Sequence, residues 1–123
     1  MAYPAIDCDE LQRRVGSGEP IVLVDALPPM SYAHSHLPGA INLTPQEVDL
    51  AATRRLPDKD APIVVYCANP DCESSIETAG RLIALGYTNV RHYAGGKNEW
   101  RERNLPLERA GAPWPVDPGA RSR

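Results

Sequence analysis

No apolar run in this chain approaches the roughly 20 residues that span a bilayer, and no basic segment leads into an apolar one at the N-terminus. Neither a membrane span nor a secretion signal is therefore expected, and the expected address is cytoplasmic. Positive charge is not in excess either. A formal net charge of −3 provides no polycationic surface, so nucleic acid and anionic membranes are not expected partners. Cysteine is scarce and odd in number: three residues argue against a disulfide framework and for free or reactive thiols. Metal-ligand spacing is also lacking. His34 and His36 form an H-x-H without a cysteine in the same motif, so neither a metal nor an organic cofactor is expected.

What is present suits a single domain. The chain has 123 residues, 42% of them hydrophobic, which is enough to bury a core. We expect one domain over residues 1–110 and an irregular Pro/Gly-rich tail over 111–123. At the front, Asp7 is a good N-cap with Glu10 three residues on, and Ile6 and Leu11 can staple the start of a helix running from Cys8 to Val15. Cys8 in its first turn reads as a passive residue. Ile21 to Val24 is a continuous apolar run ending at Asp25, the pattern of a strand covered on both faces. Pro28 and Pro29 open a short helix through His34, and a strand follows at Ala40 to Asn42. Thr44 and Glu47 form a capping box with Pro45 between them, predicting a helix to Ala52. Asn89 to Tyr93 reads as a strand, and Gly95-Gly96 leads into a last helix carrying Trp100. Strands alternating with helices predict a parallel sheet covered on both sides, with ligands at the C-terminal strand ends.

The stretch from Ile63 to Leu85 carries the chemistry. Ile63 to Tyr66 reads as a buried strand, Cys67 stands at its end, and a helix opens at Ser74 through a Ser74-x-x-Glu77 capping box. Ile76, Ala79 and Ile83 stand at helical spacing, and Gly86 closes the helix. A cysteine between a strand end and a helix N-terminus sits where amide N–H groups and the helix dipole stabilise a thiolate. Amides of the loop Ala68, Asn69, Pro70, Asp71, Cys72, Glu73, Ser74 and Ser75 can form an anion cradle, with hydroxyls from Ser74 and Ser75 as further donors. Cys72 makes a C-x4-C pair with Cys67 and is a candidate resolving thiol able to form a disulfide or accept sulfur, although Pro70 restricts how the loop folds back.

Val24-Asp25, Tyr32, the run His36 to Asn42, Val64 to Cys67, Leu85 to Val90, and Gly95 to Trp100 follow in the order and spacing of a rhodanese domain. The chain resembles that family from about Pro20 to Glu108. The resemblance implies a three-layer α/β fold with a five-stranded, mostly parallel sheet flanked by helices. It also implies a sulfurtransferase in which Cys67 accepts sulfane sulfur as a persulfide, with Asp25 and His36 supporting the site. The partners implied are a small-molecule sulfur donor, either thiosulfate or a persulfide, and a thiol, cyanide or protein acceptor.

The family pattern is not followed throughout. Ser74 stands where many rhodaneses carry a loop arginine, the loop is longer by two residues, and Leu27 and Ser31 replace the usual Arg and Glu near Asp25. Asp71 and Glu73 would raise the cysteine pKa if they pointed inward. The similar Cys-dependent phosphatases close their loop with an arginine six residues after the cysteine; here that residue is Glu73, which argues against phosphate chemistry. Loss of the arginine keeps a non-catalytic rhodanese-like binding or regulatory module as the alternative.

Overall fold

The structure is a computed structural model that describes residues 4–109, so the tail expected over 111–123 lies outside the described residues. Helix α1 (Cys8–Ser17) begins where Asp7 accepts the Glu10 N–H at 2.8 Å and ends at Gly18, whose φ of 77° favours glycine. It runs past the expected Val15 because Gly16 and Ser17 stay helical. Strand β1 (Val22–Asp25) leads to α2 (Pro29–His34), then to β2 (Ile41–Asn42) and a 3-10 turn at Pro45–Glu47. The Glu47 carboxylate takes both the amide and the hydroxyl of Thr44 at 3.0 Å, and α3 (Val48–Arg55) continues from that turn. Strand β3 (Ile63–Tyr66), helix α4 (Ser74–Ala84), strand β4 (Val90–Tyr93) and helix α5 (Gly96–Glu102) complete the order.

The four strands are parallel in the order β2-β1-β3-β4, with Val24 opposite both Ile41 and Val65, and Tyr66 opposite Tyr93. Among the described residues this makes four strands where five were expected. The N-terminal segment supplies only a single bridge beside β4: His92 N–H donates to Pro4 O and Ile6 N–H to His92 O, at 2.9 and 3.0 Å. It cannot lengthen into a ladder, because Pro4 has no N–H and Asp7 already caps α1.

Side chains alternate across the sheet and build two cores. Val24, Ile63, Val65 and Val90 pack with Val48 and Ala52 of α3 and Ala79 and Leu82 of α4. On the other face, Leu23, Val64, Tyr66 and Tyr93 pack with Ile6, Cys8 and Leu11 at the front of the chain and Trp100 of α5. Cys8 is a buried part of this core. No helix among the described residues is long and apolar enough to cross a membrane.

Helix α4 corrects two expectations. Its buried stripe is Ser75, Thr78, Ala79 and Leu82, so Ile76 lies on the exposed side at 44% relative exposure. The Ser74–Glu77 capping box is also absent: Glu73 is the N-cap without a side-chain bond, and the Glu77 carboxylate turns instead to Arg81 at 3.0 Å. The helix end fits the reading, with Gly86 at φ 100° and the Tyr87 N–H reaching back to Leu82 O at 3.1 Å.

Within the stripe, the Thr78 hydroxyl is fully buried and has no hydrogen-bond partner among the described residues. Leaving such a group unpaired costs about 1–3 kcal/mol. Thr78→Val, nearly isosteric, should therefore raise unfolding stability by about 1 kcal/mol in urea denaturation. A loss of that size would show that the hydroxyl makes a bond in solution.

Candidate functional site

Because all four strands run the same way, Asp25, Asn42, Tyr66 and Tyr93 end along one edge of the sheet. Cys67 follows Tyr66 there and is 1% exposed. Its backbone is clamped from α5: the Lys97 N–H donates to Cys67 O and the Asn98 N–H to Ala68 O, both at 2.9 Å. The close approach depends on Gly96. At its φ of 69°, an added Cβ would lie 2.7 Å from Cys67 O and from the Ala68 carbonyl carbon. The Gly95-Gly96 pair thus fixes the start of the cysteine loop against the next strand's helix.

The loop itself turns on Asn69. Its side-chain oxygen accepts the Asp71 N–H at 2.9 Å, and its carbonyl accepts the Cys72 N–H at 3.2 Å, closing a β-turn over Pro70 and Asp71. Pro70 was expected to hinder the fold-back. It instead occupies the turn position for which its fixed φ is suited, and the turn brings Cys72 round to Cys67. The two cysteines form a disulfide with a Cα–Cα distance of 6.2 Å. In this form Cys67 is not a nucleophile; reduction restores the dithiol.

The turn also limits the cradle, since the amides of Asp71 and Cys72 are committed to Asn69. The start of α4, two residues beyond Cys72 in the chain, carries the positive end of its helix dipole. Asp71 and Glu73 are both exposed.

Ser75 lies behind the loop. Its hydroxyl shares a 2.8 Å hydrogen bond with His92 Nε2, so it is not the free donor to sulfur that was expected. Burial lowers the His92 pKa and favours the neutral imidazole. His92 was not anticipated from sequence; the available signal was its place two residues after the buried Val90, which puts it on the same side of β4.

A second network lies beneath the β1 end. Asp25 Oδ2 accepts the Tyr66 hydroxyl and Oδ1 the Leu27 N–H, each at 2.9 Å, while Tyr66 Oη accepts the Leu37 N–H at 3.0 Å. Burial raises the Asp25 pKa against these bonds, and burial together with Asp25 drives the Tyr66 pKa far up. His36 is buried, bonds Tyr32 O through Nδ1 at 2.8 Å and stacks on the Tyr32 ring at 3.9 Å. Its Nε2 faces the Glu108 carboxylate at 3.8 Å. Lys97, also unanticipated, places its buried ammonium 2.7 Å from Ser35 O and 3.2 Å from Ser31 O, at the end of α2. Burial lowers its pKa while Asp25 opposes that shift. A cation from α5 thus stands over α2, where Ser31 provides a carbonyl and no charge.

A parallel α/β sheet with a cysteine loop running into a helix at its C-terminal edge defines the class. The Rhodanese-like domain model matches residues 7–103, and the chain belongs to that family. Thiosulfate sulfurtransferase GlpE of Haemophilus influenzae strain PittEE is 37% identical over 89 residues, covering 72% of this chain and 81% of that protein. The HTH-type transcriptional regulator Rv0324 of Mycobacterium tuberculosis is 36% identical over 109 residues; the match covers 89% of this chain but 46% of the regulator. Among solved structures, the BH2092 protein of Bacillus halodurans superposes with a TM-score of 0.80 at 29% identity, over 86% of this chain and 77% of that one. The family relationship is to rhodanese-type sulfurtransferases.

Proposed function

We propose that residues 1–110 form a single sulfurtransferase domain that moves sulfane sulfur through a persulfide on Cys67. The acceptor is a thiol or another nucleophile, including cyanide or a protein thiol. The observation that carries this reading is the placement of Cys67: a buried cysteine after the third strand, clamped by the Lys97 and Asn98 amides and leading through a short turn into α4. In the dithiol form the Cys67 thiolate attacks the sulfane sulfur of a donor, the donor's leaving group departs with the bonding pair, and the persulfide then yields its outer sulfur to the acceptor. The start of α4 stabilises the anion before and after transfer. Similarity to proteins named thiosulfate sulfurtransferase supports the reaction class.

Donor choice follows from the loop. Residues 68–75 contain no Lys, Arg or His, while Asp71 and Glu73 stand exposed at its rim. A dianion such as thiosulfate meets negative potential on approach, and its turnover should be poor. With cyanide as acceptor, kcat/KM for cysteine persulfide, whose ammonium offsets its carboxylate, should exceed that for thiosulfate by at least about tenfold, a difference of roughly 1.4 kcal/mol. Efficient turnover at low thiosulfate would contradict this donor assignment. Absence of transfer from either donor by the fully reduced protein would favour the binding or regulatory module, a reading supported by the missing loop arginine and by similarity to a transcriptional regulator.

A further inference from the structure

We infer that the C-x4-C loop gives this domain a second activity, reduction of its own persulfide with release of sulfide. The inference rests on the assignment of the persulfide to Cys67. The turn closed by Asn69 holds the Cα atoms of Cys67 and Cys72 6.2 Å apart, within the range that a disulfide spans, and their sulfurs are bonded in the structure. The turn's own hydrogen bonds, Asp71 N–H to the Asn69 side chain and Cys72 N–H to the Asn69 carbonyl, do not involve sulfur. They therefore hold Cys72 beside Cys67 in the dithiol and persulfide states as well.

Cys72 is consequently the nucleophile nearest a persulfide on Cys67, and its attack is intramolecular. The Cys72 thiolate attacks Cys67 Sγ. A Cys72–Cys67 disulfide bond forms, the bond from Cys67 Sγ to the outer sulfur breaks, and the outer sulfur leaves with the electron pair as hydrosulfide. The outer sulfur gains two electrons, and the two cysteine sulfurs lose two on joining. No outside oxidant takes part. The product is the disulfide found here, in which Cys67 is buried and Cys72 is the more exposed residue. A low-molecular-weight thiol or a dithiol reductant then restores the loop. Without one, the domain releases one sulfide and stops; an external acceptor competes with Cys72 for each sulfur loaded.

The test uses fully reduced protein freed of reductant, exposed anaerobically to a brief excess of cysteine persulfide and desalted at once. Intact mass and sulfide release are followed against the same protein incubated without donor and against Cys72→Ser. Wild type should release one equivalent of sulfide after desalting and end two hydrogens lighter, with no added sulfur. Cys72→Ser should keep the mass of one sulfur atom and release none until thiol is added. If wild type retains its added sulfur as stably as Cys72→Ser, the sulfide-releasing step is overturned while the Cys67 persulfide stands. If Cys72→Ser never gains sulfur, the persulfide assignment fails, and the inference with it.

Discussion

Cys67→Ser should abolish sulfur transfer, lowering kcat/KM by at least about 10³-fold in assays of fully reduced protein. The hydroxyl is not ionised near neutral pH even at a helix N-terminus, and oxygen does not form the sulfur-sulfur bond on which the two-step reaction depends. The fold should survive. Cys67 is 1% exposed, serine is close to it in volume, and the clamp on this position is made by its carbonyl, which the substitution leaves in place. The comparison must be made between reduced proteins, because the substitution also removes the link to Cys72. Retention of turnover by a folded Cys67→Ser protein would move the chemistry to another residue.

The second large effect belongs to Gly96, which never touches sulfur. Gly96→Ala places a methyl group 2.7 Å from Cys67 O and 2.8 Å from Ala68 O at a φ of 69°. The left-handed conformation costs about 1–2 kcal/mol for a residue with a Cβ. The clash is with backbone, so no side chain can swing aside; relief requires parting α5 from the cysteine loop and stretching the bonds from the Lys97 and Asn98 amides. A total loss of about 3 kcal/mol in unfolding stability is expected, with a fall in kcat on the order of 10² from displacement of the nucleophile. Gly95→Ala is the control. Its Cβ would meet the Glu99 side chain first, whose carboxylate can rotate away at the expense of the Tyr93–Glu99 hydrogen bond of 2.8 Å, a loss of about 1 kcal/mol. Equal stability and activity of Gly96→Ala and wild type would refute the clamp.

The sequence shows most of the scaffold because local signals and tertiary packing agree there. The apolar run ending at Asp25, the Thr44–Glu47 box and Gly86 each have one dominant physical reading, and each occurs in the fold. It misleads where two readings share one pattern. Ser74 and Glu77 have capping-box spacing, but Arg81 competes for the Glu77 carboxylate and the helix begins one residue earlier than the box requires. Ile76 was placed inward by hydrophobicity, whereas docking of α4 selects the stripe that starts at Ser75. Contacts between distant segments were illegible. Ser75 with His92, Lys97 with the end of α2, and Tyr66 with Asp25 each depend on strand order, which no local spacing encodes. Pro70 was legible only in part: its restriction was recognised, but the sense of that restriction follows from the Asn69 carbonyl bond that makes it a turn.

The central claim is that sulfur is carried on Cys67, and the most direct measurement is fragment-ion mapping of the persulfide. The Cys72→Ser protein is suited to it, since no neighbouring thiol can remove the sulfur before analysis. Reduced protein is loaded with cysteine persulfide, alkylated and digested, and the peptide spanning residues 60–81 is fragmented. One extra sulfur should lie between Cys67 and the alkyl group, and cyanide added before alkylation should remove it as thiocyanate. Sulfur found only on Cys8, or no transferable sulfur on a correctly folded protein, would contradict the account.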